Sequence, residues 1–121
     1  MNCPKCKAIM KSLVVEGVEV DRCTACHGLW FDNLEDQRLR KLSVAMQIDT
    51  GDVAVGAKMD DMSHIHCPRH PETLMTHLQI IDQPHIKIES CPFCYGTFFD
   101  AGEFVDFSHI SIVEMIRNFI R

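Results

Sequence analysis

The segment CTACHGLWFD, residues 23–32, decides the fold of this chain because it occurs twice. Near the other end the sequence is CPFCYGTFFD, residues 91–100, and the two segments align without a gap. Both follow the pattern Cys-x-x-Cys-x-Gly-x-aromatic-Phe-Asp. A repeat this regular indicates one structural unit that is used twice.

Each copy is preceded by a second short motif that supplies two more candidate ligands. The first unit begins with CPKC, residues 3–6, and the second with CPRH, residues 67–70, where a histidine replaces a cysteine. Two such turns brought face to face by a hairpin form a tetrahedral ligand set, which is a strong signal for zinc. The predicted metal ligands are Cys3, Cys6, Cys23 and Cys26 in the first site and Cys67, His70, Cys91 and Cys94 in the second.

This assignment uses all seven cysteines and explains their odd number. Four protein ligands leave no position for water, which is the structural rather than the catalytic arrangement of zinc. We therefore expect two zinc ions per chain, each contributing directly to folding. A rubredoxin-type iron site is the less favoured alternative, because a histidine in the second set argues against iron there.

The residues between the cysteine motifs predict two β-hairpins. In the first, apolar residues alternate on both sides of a turn at Glu16-Gly17. The second is longer, with apolar strands on both sides of a turn at residues 82–85. Within the repeated segment, we expect Gly28 to relieve the turn and the aromatic rings of Trp30 and Phe98 to pack beneath the ribbon.

Each repeated segment ends at a helix start signal. Asp32 and Asp100 are each followed three positions later by a glutamate, an acidic variant of the capping box. The predicted fold class is therefore a small metal-stabilised α+β fold. It consists of two tandem zinc ribbons, each a pair of zinc knuckles with a β-hairpin, and each is followed by an α-helix.

The predicted domains are a first zinc ribbon with its helix at residues 1–46, a linker at 47–63, and a second ribbon with a C-terminal helix at 64–121. The linker prediction rests on turn signals and charge, and a short strand at residues 53–55 is predicted within it. The C-terminal helix has a second apolar face, which predicts a surface that is buried against something else. Its members are Val105, Ile112, Met115, Ile116 and Phe119.

Composition and charge argue against several classes of function. The formal net charge of −5 is unfavourable for non-specific phosphate binding. No apolar run approaches the ~18–20 residues of a membrane span, and the first residues do not resemble a secretion signal. We therefore expect a cytoplasmic protein in a reducing compartment, where disulfides rarely persist.

Other candidate residues carry weaker signals. No nucleophile–base pair, glycine-rich phosphate loop or carboxylate dyad is present, so we expect no enzymatic activity. His64 and His66 flank the second site, but a solvent-exposed strand is favoured over an additional metal contact. The basic residues of the first unit are almost balanced by acidic ones, which favours a solvated face over a phosphate-binding patch.

The combined motifs resemble the transcription factor IIB-type zinc-finger family, a family of small zinc ribbons. Residues 3–39 carry the closest resemblance, including Gly17, Gly28, Trp30 and Asp32, while residues 67–107 resemble a second, diverged copy. The second copy departs at His70, in its longer hairpin, and at Phe98 in the tryptophan position. The resemblance implies zinc and the ribbon fold, and implies a role in transcription only weakly.

Three functional hypotheses follow. The first is a non-enzymatic zinc protein that acts by protein–protein contact, with a protein partner or a second copy bound through the C-terminal helix. The second is a nucleic-acid-binding regulator that uses the basic residues of the first unit, although the net charge disfavours it. The third is a redox or metal sensor whose thiolates release zinc on oxidation.

Overall fold

The computed structural model describes residues 1–15, 17–32, 48–59, 64–80 and 83–104. The elements in chain order are β1 (Met10–Val15), β2 (Val18–Cys23), β3 (Leu29–Phe31), α1 (Val53–Met59), β4 (Thr76–Ile80), β5 (Gln83–Ser90) and β6 (Thr97–Phe99). The helix predicted after Asp32 lies outside the described residues, and so does the predicted C-terminal helix after residue 104. Residues 103–104 are helical, and both predicted helices stay predictions. No helix among the described residues is long and apolar enough to span a membrane.

The six strands form one antiparallel sheet in the order β1-β2-β3-β6-β5-β4. This order is symmetric about its centre, where β3 pairs with β6. Trp30 lies directly opposite Phe98, and these are equivalent positions of the repeat. The two copies are therefore related by an approximate two-fold axis through this pair. We call residues 1–32 the first half and residues 64–104 the second half.

Both predicted hairpins are present. The first pairs β1 with β2, from Met10 opposite Cys23 to Val15 opposite Val18. In the second, β5 already begins at Gln83, so the predicted turn at residues 82–85 is too long. Pro84 lacks an N–H, yet it fits in β5 because β6 pairs only with Ile88–Ser90, which leaves the start of β5 with a neighbour on one side only.

Alternation along the strands divides the buried side chains between the two faces of the sheet. One cluster includes Leu29 and Phe31 of β3 with Phe99 of β6, and the rings of Phe31 and Phe99 meet edge to face at 5.6 Å. The other cluster contains Trp30 and Phe98 together with the buried cysteines. The candidate metal-binding residues therefore lie on one face of the sheet, and an aliphatic and aromatic core lies on the other.

The predicted strand at residues 53–55 is wrong, because these residues begin helix α1. Asp52 explains the difference, since its side chain accepts a hydrogen bond from Ala54 N at 2.9 Å and its carbonyl accepts one from Gly56 N at 3.1 Å. This N-cap outweighs the strand preference of the β-branched valines. A Cβ on Gly56 would collide with the carbonyl oxygen of Ala101, so α1 packs closely on the second half.

The predicted domain bounds stay a prediction.

Candidate metal centres

The first cysteine cluster contains all four predicted ligands. The Sγ atoms of Cys3, Cys6, Cys23 and Cys26 lie within 4.8 Å of one another. Cys3 and Cys6 come from the CPKC turn, and Cys23 ends β2, so the hairpin returns the second pair of thiols to the first. Backbone N–H groups of Ala25 and Cys26 also point at Cys23 Sγ, both at 3.4 Å. Both contacts hold the sulfur of Cys23 in a fixed position within its turn.

The second cluster contains three of its four predicted ligands. The Sγ atoms of Cys67, Cys91 and Cys94 lie within 4.8 Å of one another, and His70 is not part of this group. Its ring instead contacts the ring of Phe93 edge to face, at 4.7 Å between centroids. The role of His70 as fourth ligand therefore stays a prediction. The exposed residues His64 and His66 are not part of either cluster.

The sulfur spacing fits a tetrahedral metal. Thiolates bound to zinc at about 2.3 Å lie about 3.8 Å apart along each edge of the tetrahedron. Cys3 Sγ and Cys26 Sγ are 3.8 Å apart, as are Cys67 Sγ and Cys94 Sγ. The Cys6–Cys23 distance is shorter, at 3.2 Å. All seven cysteines are free thiols, and the two clusters that they form fit zinc.

The acid–base properties of these thiols show why the clusters need a cation. A hydrogen bond from the Cys26 thiol lowers the pKa of Cys3 to about 5, and the same contact raises the pKa of Cys26 well above its ordinary value. Burial raises the pKa of Cys67 to about 12. A set of crowded sulfurs thus resists full ionisation on its own. A divalent ion, when bound, supplies the charge that lets every sulfur act as a thiolate ligand.

Gly28 has a different role from the one predicted. The left-handed backbone conformation falls on the preceding residue in both copies, at His27 (φ 61°) and Tyr95 (φ 62°). Gly28 is required by space, because a Cβ there would collide with Cζ of Phe98 and lie 3.0 Å from both Cε atoms of that ring. Gly96 makes the same room for Trp30. Each glycine therefore accommodates the aromatic ring of the other half.

Each half also contributes a cationic side chain that contacts carboxylates of the other half, an arrangement that we call the exchange of cations. Lys5, from the CPKC turn of the first half, is buried and its Nζ contacts Glu89 Oε1 at 2.6 Å and Asp100 Oδ2 at 2.5 Å. The same Nζ donates to Met59 O at the end of α1, at 3.0 Å. Burial alone lowers the pKa of Lys5, but the two carboxylates outweigh it and raise that pKa above its ordinary value.

The equivalent residue of the second half makes the reciprocal contact. Arg69 donates to both oxygens of Asp32, from Nε at 2.9 Å and from NH2 at 2.8 Å, and its NH2 lies 3.4 Å from Asp21 Oδ2. Lys5 and Arg69 occupy the same position of the CP[K/R] motif. Asp21 and Asp32 likewise occupy the positions of Glu89 and Asp100 in the repeat. The Asp32 carboxylate also accepts a hydrogen bond from Trp30 Nε1 at 2.9 Å.

Sequence reasoning missed this exchange. The helix-cap prediction for Asp32 and Asp100 gives no indication of it, and neither does the prediction that the basic residues of the first unit form a solvated face. The signal was present in the repeat, because a cation follows each Cys-Pro and an acidic residue stands two positions before each second Cys-x-x-Cys. Charges of the same sign at equivalent positions of both copies could have indicated paired partners.

The thiol clusters and the antiparallel sheet that carries them define a protein with zinc-ribbon metal sites. Residues 2–41 match the family model described as transcription factor zinc-finger, which confirms the resemblance drawn from the motifs. The cluster of Cys67, Cys91 and Cys94 is consistent with a diverged second copy. No curated protein and no solved structure matches the chain significantly.

Proposed function

We propose that this chain is a non-enzymatic zinc-binding module, with two zinc ions, that binds another protein. The observation that carries the proposal is a pair of exposed aromatic side chains on the second metal-binding turn. Phe93 is 68 % exposed and Tyr95 is 59 % exposed. The equivalent residues of the first half are the small Ala25 and the polar His27. The aromatics are thus an addition specific to the second copy.

The position of these rings suits a binding anchor. Tyr95 N donates to Cys91 O at 2.9 Å, so the backbone that carries Tyr95 is tied to a predicted metal ligand. The ring of His70 packs against the ring of Phe93 and supports it. Rigid, exposed aromatic side chains are the residue type most enriched in protein–protein interfaces. The apolar face predicted on the C-terminal helix lies outside the described residues and stays a prediction for a protein partner or a second copy.

Replacing both aromatics tests this proposal. We expect Phe93→Ser with Tyr95→Ser to abolish capture of a partner from the native cell while zinc content and thermal unfolding stay unchanged. Ile9→Ser is the matched control, because Ile9 is 70 % exposed and lies on the first half. Capture of the same proteins by the double variant and by the wild-type chain would show that these rings are not the binding surface.

A second candidate is anion binding, in the form of a nucleic-acid backbone. Lys11 and Arg22 lie directly opposite each other on β1 and β2 and line one cavity of about 430 Å³. Like charges in this position are unfavourable without a counter-ion. Arg22 donates to neutral oxygens, Ile48 O at 3.2 Å and Thr50 Oγ1 at 3.3 Å. Within the described part of the chain the side chain of Lys11 has no hydrogen bond or ion pair, and no acidic residue lines the cavity.

This candidate predicts salt-sensitive binding of a labelled DNA or RNA oligonucleotide at low ionic strength. Lys11→Gln is expected to weaken it and to reduce the slope of log K against log salt by about one unit. Lys58→Gln, which removes an exposed lysine of α1, provides the control. If neither oligonucleotide binds at low salt, or if both variants weaken binding equally, the cavity is not a phosphate site.

A further inference from the structure

We infer that the two metal centres of this chain bind metal cooperatively. Metal at each centre holds in place a cationic side chain that contacts carboxylates of the other half. The inference goes beyond the proposed function, since it holds whichever partner the chain binds. It starts from the exchange of Lys5 and Arg69 across the approximate two-fold axis.

The position of each cation couples it to the metal of its own half. Lys5 lies between the predicted ligands Cys3 and Cys6, and Arg69 lies two residues after Cys67. A metal bound by these thiols fixes the backbone of the turn and hence the start of each cationic side chain. Without metal the turn loses this restraint, and the cation is no longer held in the other half.

The position of each carboxylate couples it to the metal of its own half as well. Glu89 and Asp21 each stand two residues before the second Cys-x-x-Cys of their half, on β5 and β2. The Lys5 and Glu89 side chains are fully buried at their contact. Loss of Lys5 would leave the buried Glu89 carboxylate with a longer contact to His77 Nδ1, at 3.6 Å, and would favour a shift of β5 that exposes the carboxylate to water.

The central strands add a second link between the halves. β3 and β6 pair with each other, and Gly28 and Gly96 receive the aromatic rings of the opposite half. Each of these strands begins three residues after a predicted metal ligand, Cys26 or Cys94. Disorder of one metal-binding turn is therefore transmitted to the partner strand. Both links act in the same direction, so that metal at one centre favours metal at the other.

Native mass spectrometry of the zinc-loaded full chain, titrated with a competing chelator, tests this inference. At half loading we expect chains with zero and two metals to dominate. The one-metal form should stay well below about half of the chains, the share given by two equal and independent sites. Unequal independent sites would raise that share, so a one-metal form at or above about half overturns the inference.

A variant separates cooperativity from overall zinc affinity. Arg69→Gln removes one exchanged cation that is 42 % exposed, and it should raise the one-metal share while both zinc ions still bind at excess metal. Lys7→Gln is the matched control, because Lys7 is an exposed cation beside Cys6 whose Nζ donates to Pro4 O of its own turn, at 3.2 Å, and reaches no carboxylate among the described residues. An equal rise in both variants would mean that charge near the thiolates, and not the exchange between halves, sets the distribution. That result would overturn the inference too.

Discussion

Lys5→Met is expected to destabilise this protein more than any other substitution of a charged residue in its described part. The variant leaves the buried carboxylates of Glu89 and Asp100 without the ammonium group that now contacts both. Removing one partner of a buried ion pair typically costs about 3–5 kcal/mol, because the remaining charge loses its counter-ion and stays out of water. His77 Nδ1, at 3.6 Å from Glu89 Oε1 and half exposed, replaces little of that contact. We therefore expect the midpoint of thermal unfolding, measured with excess zinc, to fall by on the order of 10 °C or more.

Two further variants identify the cause of this loss. Lys7→Met changes an exposed lysine of the same turn and should alter stability by no more than about 0.5 kcal/mol. Lys5→Met combined with Glu89→Gln and Asp100→Asn removes the uncompensated charges and should recover part of the loss. If the triple variant is less stable than Lys5→Met alone, the lysine contributes through packing and not through charge.

The reciprocal contact provides an internal comparison. Arg69 pairs with Asp32 in an equivalent position, but the two side chains are 42 % and 40 % exposed. Water then replaces much of the lost interaction, and exposed pairs contribute about 0–1 kcal/mol. Removal of the cation should therefore destabilise the protein strongly on the Lys5 side of the axis and by about 1 kcal/mol or less on the Arg69 side.

The contacts of Lys5 also show which parts of the structure could be predicted from the sequence and which could not. Ligand motifs and hairpins depend on residues close together in the chain, so Cys3, Cys23 and their equivalents could be predicted to converge. Burial of Lys5 depends on Glu89 and Asp100, which belong to the other copy and are distant in sequence. A repeat shows that two units are similar, but it does not show that their strands join into one sheet.

The described part of the predicted linker, residues 47–63, also adopts a structure that depends on contacts with residues distant in sequence. Val53 and Val55 favour a strand by propensity, whereas the capping bond that Asp52 accepts from Ala54 N and the close approach of Gly56 to Ala101 favour the helix. The second of these contacts is with the second half. Similarly, Gly102 has φ +89° and its N–H donates to Asp49 Oδ1 at 2.8 Å, which ties the linker to the turn after β6. Neither the contact of Gly56 with Ala101 nor that of Gly102 with Asp49 can be predicted from the neighbouring sequence.

Gly28→Ala and Gly96→Ala are the second pair of changes with large expected effects. The added methyl group at Gly28 would enter the ring of Phe98, and that at Gly96 would lie 2.5 Å from Cη2 of Trp30. Both rings are fully buried, and Trp30 is also held by its hydrogen bond to Asp32. Overpacking of this kind costs about 1–3 kcal/mol and sometimes more. We expect values near or above the top of that range, measured by denaturant unfolding with zinc present.

The choice of second-site substitution shows which half each glycine serves. If Gly28 makes room for the other copy, Phe98→Leu should restore part of the stability lost in Gly28→Ala, because the shorter side chain leaves space for the methyl group. Trp30→Phe, which changes the aromatic residue of the same half, should give no such recovery. The opposite pattern would mean that each ribbon packs on itself. In that case the glycine of the repeated motif would serve its own turn, and the two halves would be joined by their exchanged cations and strand pairing alone.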